Sequence, residues 1–171
     1  ETITYILKGT VEHKDSLGNS GELNDGDVQW MTAGSGILHQ EMPIGNTKGE
    51  MHGFQLWANL PSNLKMTEPN YQYIKSSDIR IINDDDGTII KIIIGDYRGY
   101  QGLIKGIASN PQYFDIYVPP NKIKNFPISL RDNCFAYIFE GEAKFDYAST
   151  PTGIKIEKSY NNEDYTIRDM S

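Results

Sequence analysis

The chain has 171 residues and a formal net charge of −7, which allows one ordinary domain or two small ones. This acidic balance, without a cluster of Lys and Arg, argues against direct binding to nucleic acid, because phosphate backbones repel negative surfaces. No apolar run approaches the ~20 residues of a transmembrane helix, so we expect no membrane segment. The single cysteine, Cys134, excludes an internal disulfide, and a reducing compartment, cytosol or nucleus, is expected.

The predicted elements are strands. Segments rich in β-branched and aromatic residues, which suit a pleated surface, recur at 1–13, 28–31, 48–60, 89–95, 113–118, 135–145 (a strand pair) and 154–156. Gly9 interrupts the first of them and predicts a bulge or bend. No stretch shows the 3.6-residue periodicity of a capped helix. The pattern predicts an all-β fold with short, regularly spaced strands, as in a barrel or sandwich.

Turn residues separate these strands. Residues 15–21 (DSLGNSG) predict the loop of a hairpin. Residues 84–87 (DDDG) look superficially like a calcium loop, but counting back from Gly87 puts Ile82 at the first ligand position. A hairpin turn is therefore predicted there instead.

The stretch at 24–43 (NDGDVQWMTAGSGILHQEMP) contains a tight turn, a short apolar strand and a Gly-rich loop, and then His39 and Glu41. Gly34 and Gly36 in the loop predict backbone with positive φ. On an extended strand, side chains at i and i+2 leave the same face. An imidazole and a carboxylate aimed at one point form half of a transition-metal site. The alternative is a surface histidine beside a surface glutamate.

A similarity between two segments of the sequence suggests two related halves. Residues 5–11 (YILKGTV) and 137–143 (YIFEGEA) share their hydrophobic order and their glycine, which with the all-β prediction suggests two barrels joined between residues 60 and 89. We place the domains at 1–73 and 74–171. All three histidines lie in the first 52 residues, so the second half cannot hold a His-rich metal site and is expected to be a scaffold or a contact surface.

Three segments together resemble the pirin family of the cupin superfamily: residues 1–21, 29–43 (QWMTAGSGILHQEMP) and 53–61 (GFQLWANLP). The resemblance is dense over 1–73 and holds only in outline beyond. It implies two antiparallel, jelly-roll-like cupin β-barrels, both incomplete in this chain, with a single iron in the N-terminal barrel. It also implies a nuclear and cytoplasmic location. Members are described as transcriptional co-regulators, and some as quercetin 2,3-dioxygenases.

The resemblance implies that three histidines and one glutamate hold the iron. His39 and Glu41 match the third histidine and the glutamate, whereas the first two belong to an H-P-H-R-G-F element expected just before Glu1 and absent from this sequence. We therefore expect an interior piece of a longer protein. With two of about four ligands, this chain is predicted to bind iron weakly or not at all, and the complete protein to bind one ion.

The remaining candidates receive structural roles. His13 flanks a hairpin loop among charged residues and is predicted to be solvated, while His52, near two aromatic residues, is predicted to be structural or to support the ligands. Cys134 is predicted to be a small buried hydrophobe. Four large residues are predicted to lie in the core rather than on a substrate: Trp30, Met31, Phe54 and Trp57.

Three functions remain open from the sequence. In the first, a non-haem iron enzyme cleaves a flavonol with dioxygen, and Glu41 is both a ligand and the group that takes the substrate hydroxyl proton. In the second, the state of the metal alters a surface that contacts a transcription factor or other nuclear protein, and the acidic charge suits a basic partner. In the third, the chain is a metal-free cupin scaffold or interaction module without catalysis.

Overall fold

The computed structural model of the chain describes residues 1–108, 110–129 and 131–145, together with the backbone of the strands at 154–160 and 164–170. The fold in this part is all-β, as predicted, with fourteen strands and two single-turn 3-10 helices, at Ser62–Leu64 and Ser76–Asp78. The strands are β1 (Thr2–Lys8), β2 (Val11–Asp15), β3 (Ser20–Leu23), β4 (Val28–Thr32), β5 (His39–Pro43), β6 (His52–Trp57), β7 (Asn70–Ile74), β8 (Arg80–Asn83), β9 (Ile89–Ile94), β10 (Asp96–Tyr97), β11 (Tyr100–Gln101), β12 (Tyr113–Tyr117), β13 (Ile154–Tyr160) and β14 (Asp164–Met170). No helix among these residues is long and apolar enough to cross a membrane.

The chain divides into two compact units, Glu1–Asn125 and Phe126–Ser171. In the first unit, a four-stranded sheet has the order β6-β1-β4-β7, and two three-stranded sheets have the orders β3-β2-β5 and β12-β9-β8. All of these neighbours pair antiparallel, and β10 and β11 add a short hairpin. The domain boundary proposed from the sequence at residue 73 stays a prediction.

The second unit contains the antiparallel hairpin of β13 and β14, which includes the strand predicted at 154–156. The strand pair predicted at 135–145 is wrong, since no strand forms there among the described residues. Phe135 is 76% exposed, and none of the sheets formed by the described residues includes this segment. Cys134 is likewise exposed, so its predicted burial is wrong.

The apolar core of the first unit lies on one face of the four-stranded sheet. Ile3 pairs with Trp30 across β1 and β4, and Tyr5 pairs with Val28 in the same way. Since cross-strand partners share a face, these four side chains form one surface, and they pack with four buried isoleucines, Ile79, Ile93, Ile94 and Ile104. Each fully buried large side chain contributes roughly 1.5–3 kcal/mol to stability.

The predicted core residues divide by position. Trp30 and Met31 are each 1% exposed, and Phe54 packs against the core from β6, as predicted. Trp57 is 77% exposed, so its predicted core position is wrong. Its side chain leaves the same face of β6 as Gln55, opposite to the face on which Phe54 packs against the core.

Glycines set the main bends. At Gly9 the chain breaks between β1 and β2 with φ +95°, and a Cβ there would lie 2.6 Å from the Glu50 carbonyl oxygen. Gly34 and Gly36 have positive φ, as predicted, and a Cβ on Gly34 would lie 2.1 Å from the Thr67 carbonyl oxygen. The hairpin turn predicted at 84–87 also forms, because the Gly87 amide donates to the Asp84 carbonyl and joins β8 to β9.

Candidate metal centre

Strand pairing brings four polar side chains to one face of the three-stranded sheet. β2 and β5 run antiparallel, with His13 opposite Glu41 and Asp15 opposite His39. Directly opposed residues share a face, and so do residues two apart on one strand. His39 and Glu41 therefore leave the same face of β5, and His13 and Asp15 join them from β2.

Three of these side chains converge closely enough for one ion. One ligand atom from each of His13, His39 and Glu41 lies within 4.8 Å of the other two. Ligands at about 2.0–2.2 Å from one metal are separated by at most about 4.4 Å. Small side-chain adjustments are therefore enough to surround an ion.

His13 is the residue that sequence reasoning misjudged. It is predicted to be solvated, but its side chain is fully buried. Its ring stacks on Tyr71 of β7, with centroids 5.0 Å apart and an angle of 27° between the planes. The charged neighbours Glu12 and Lys14 alternate away from the interior, whereas Val11 and His13 point inward. This alternation was the signal in the sequence that His13 is buried, and the charged residues beside His13 led to the opposite prediction.

Asp15 holds the other side of the His13 ring. His13 Nε2 lies 3.1 Å from Asp15 Oδ2, and neither side chain is exposed. Asp15 also accepts hydrogen bonds from the backbone amides of Leu17 and Asn19 and from Asn19 Nδ2. Burial alone would raise the pKa of Asp15, but the hydrogen bonds from Asn19, His13 and Leu17 outweigh it and lower the pKa to about 2.

The ionised Asp15 determines which ring nitrogen of His13 carries a hydrogen. A carboxylate only accepts, so Nε2 is the donor, and a ring that carries a single hydrogen then presents its lone pair at Nδ1. Nδ1 is buried and has no hydrogen-bond partner in the described part of the chain. A buried nitrogen without a partner is costly, which is one reason to expect a further group at this position.

Glu41 is oriented by the polar face of the four-stranded sheet. Its Oε1 accepts from Thr4 Oγ1 (3.0 Å) and Gln29 Nε2 (3.1 Å), and its Oε2 accepts from Gln55 Nε2 (2.6 Å). Thr4 is opposite both Gln29 and Gln55 in the strand register, so the three donors form one row across β6, β1 and β4. The half-buried carboxylate is therefore held between two sheets.

Further hydrogen bonds orient the two amides of this row. The Tyr71 hydroxyl donates to Gln29 Oε1 (3.2 Å), and Trp57 Nε1 donates to Gln55 Oε1 (3.0 Å). Burial, followed by the nearby charges of Asp15 and Glu41, raises the pKa of Tyr71 to about 12. Tyr71 therefore remains a neutral donor, and the amide nitrogens of Gln29 and Gln55 stay directed at Glu41.

The centre contains two carboxylates that no cationic side chain of the described residues balances. Neither Asp15 nor Glu41 forms an ion pair with Lys or Arg within the described residues. Buried carboxylates are costly unless paired or bound to metal. Imidazole nitrogens with a carboxylate oxygen suit first-row transition metals, so the donor set fits such an ion.

The other predicted residues lie around the centre. His39 is exposed on β5, an edge strand, and its ring centroid is 5.8 Å from that of His13. The open side of the centre is thus the side of His39. His52 is exposed at the start of β6, beside Phe54, and is not part of the cluster.

Comparisons with known proteins agree with this fold. A sequence model of the pirin family matches residues 1–58, which include His13, His39 and Glu41. A pirin-like protein of Caulobacter vibrioides is 40% identical over 145 residues, which is 84% of this chain and 52% of that protein. Human pirin is 40% identical over 143 residues, 83% of this chain and 48% of that protein. The chain spans about half the length of these relatives.

Among solved structures, a quercetin 2,3-dioxygenase from Acinetobacter baumannii has a TM-score of 0.54 and 42% sequence identity, covering 62% of this chain and 38% of that one. The identity extends well beyond the level at which only a fold is shared, and the family match includes the three converging side chains. By sequence and by structure, this chain belongs to the pirin family.

Proposed function

We propose that this chain is the metal-binding part of a pirin-type cupin, in which His39 and Glu41 hold one iron. The observation that carries the proposal is the convergence of imidazole and carboxylate side chains within 4.8 Å of one another, at a centre where neither Asp15 nor Glu41 pairs with a described Lys or Arg. The donor atoms suit iron among the first-row metals. Asp15 beside His13, and three donors on Glu41, are the kind of support that metal ligands receive.

We further propose that the complete protein uses this iron for dioxygen-dependent cleavage of a flavonol. When bound, the iron supplies the Lewis acidity and the electron transfer that such a reaction requires. The similar Acinetobacter protein is a quercetin 2,3-dioxygenase, which supports this substrate class. The exposure of His39 supports access of a planar substrate from the side of β5.

Glu41 is the proposed catalytic residue. Its Oε1 already accepts two hydrogen bonds, whereas Oε2 accepts from Gln55 alone. A carboxylate oxygen has two lone-pair sites, so Oε2 has one left for the metal or for the hydroxyl proton of the substrate. The row of Thr4, Gln29 and Gln55 keeps that oxygen in place without neutralising its charge.

A second proposed role is regulatory, as a transcriptional co-regulator in the cytoplasm and nucleus. The net charge of −7 favours a partner protein with a basic surface, because complementary fields speed encounter and suppress other partners. In this role the oxidised and reduced iron forms would differ in partner affinity. Equal affinities would leave only a scaffold role.

Oxygen uptake with quercetin tests the enzymatic proposal. We expect the complete, iron-loaded protein to consume oxygen when quercetin is added, and we expect His39→Ala to abolish this activity. His52→Ala is the matched control, because it removes another exposed histidine of the same unit outside the cluster. Full turnover in His39→Ala would contradict the proposed site, and loss of activity in His52→Ala alone would place the reaction elsewhere.

A further inference from the structure

We propose that His13, held by Asp15, is a positioning residue of this centre whose Nδ1 accepts a hydrogen bond from the water or hydroxyl group on the bound ion. The inference rests on the proposed function, since it concerns an ion held by His39 and Glu41. It assigns a role to a histidine outside the ligand pair and explains why a buried ring nitrogen has no partner.

The described residues leave the Nδ1 atom of His13 unsatisfied. It is buried and has no hydrogen-bond partner among the described residues, and Nε2 already donates to Asp15. Such a nitrogen must either accept a hydrogen bond or coordinate a metal to recover what burial costs. The ring lies opposite Glu41 in the strand register and belongs to the converging cluster, which supports placing the partner of Nδ1 at this centre.

The His13 ring is held in place on two sides. Tyr71 covers one face of it at a centroid distance of 5.0 Å, and the Tyr71 hydroxyl is itself tied to Gln29. Asp15, which accepts four hydrogen bonds, fixes the edge with Nε2. A ring held on two sides cannot follow an ion easily. His39, exposed on an edge strand, has that freedom.

His13 Nδ1 acts as a hydrogen-bond acceptor rather than as a ligand of the ion. The His13 ring, fixed by Tyr71 and Asp15, adjusts to an ion less easily than the exposed His39 does, so the group that Nδ1 meets is a water or hydroxyl on an ion held by His39 and Glu41. A buried acceptor at that place favours bound groups that carry a hydrogen, such as water, over anions that do not. His13 would thus select what occupies the open position of the ion.

Three matched His→Gln variants test the proposal in the 171-residue chain. His13→Gln keeps an amide N–H for Asp15 and removes the Nδ1 lone pair, His39→Gln removes a ligand, and His52→Gln is the control. We expect the affinity for Co²⁺ to fall about 10–100-fold in His13→Gln, the range for partners that support ligands. We expect a larger loss in His39→Gln and no change in His52→Gln.

Two further measurements separate positioning from packing and from ligation. Pulsed EPR of the Cu²⁺ form counts bound imidazoles, and we expect the count to fall by one in His39→Gln and to stay unchanged in His13→Gln. Azide binding to the Co²⁺ form should become about 2–10-fold tighter in His13→Gln, because the competing water loses one hydrogen bond. Simple loss of packing would not strengthen the binding of any ligand.

The outcomes are distinguishable. An imidazole count that falls in His13→Gln would make His13 a ligand and overturn the proposal, and so would affinities equal to those of His52→Gln. A Co²⁺ affinity that survives His39→Gln would overturn the proposed function itself. If His13→Gln does not fold, Asp15→Asn takes its place, with a Co²⁺ loss in the same range expected and an unchanged affinity contradicting the proposal.

Discussion

The two central strands of the four-stranded sheet, β1 and β4, are buried on both faces, and the two faces have different roles. On one face, Ile3 and Trp30 are 0% and 1% exposed and belong to the apolar core. On the other, Thr4 and Gln29 are 5% and 0% exposed and donate hydrogen bonds to Glu41. Neighbouring residues of one strand thus serve stability and the metal centre separately. Burial alone does not reveal which role a residue has, whereas the hydrogen-bond partner does.

The largest effect on stability is expected on the apolar face. Trp30→Ala should lower the free energy of unfolding by about 3–5 kcal/mol, because it removes a large buried ring and leaves a cavity. Urea denaturation followed by circular dichroism measures the change. A loss below about 1 kcal/mol would show that this face is not the main core.

On the polar face, a substitution should weaken both stability and metal binding. Gln29→Leu keeps the approximate volume but removes a donor to Glu41 and the acceptor of the Tyr71 hydroxyl. We expect a loss of about 1–3 kcal/mol in unfolding free energy from the unpaired groups and a 10–100-fold weaker affinity for Co²⁺. Isothermal titration of the folded variant measures the affinity. An unchanged Co²⁺ affinity would show that the hydrogen bond from Gln29 to Glu41 does not support metal binding.

A smaller effect is expected from pH. The pKa of Asp15 is lowered from 3.8 to about 2, so its contribution to stability is present above pH 3.8 and is lost as the pH falls toward about 2. The stability difference between wild type and Asp15→Asn should therefore shrink over this interval. Urea denaturation at several acidic pH values measures it, and a difference that stays constant across the interval would contradict the assigned hydrogen bonds.

Local signals in the sequence predicted most of the first unit. The β-branched runs predicted β1, β4, β9 and β12, and the DDDG turn predicted the hairpin between β8 and β9. The period of two residues predicted that His39 and Glu41 leave one face of a strand. These features depend on neighbouring residues, which is why one sequence was enough to predict them.

The features that were missed depend on distant pairing. His13 is buried because β2 pairs with β5 and because Tyr71 reaches its ring from β7. Thr4, Gln29 and Gln55 meet Glu41 only after two sheets form. Trp57 is exposed because its side chain leaves β6 on the face opposite to the apolar core. No local composition encodes these outcomes, although the alternation from Val11 to Asp15 carried part of the signal for His13.

Anaerobic titration of the chain with Fe²⁺, together with His39→Ala and His52→Ala, tests the central claim most directly. The account predicts weak binding of one ion per chain, at least about 100-fold weaker in His39→Ala, beyond the loss caused by a supporting residue, and unchanged in His52→Ala. Equal affinities in all three proteins would contradict a metal centre at His39 and Glu41.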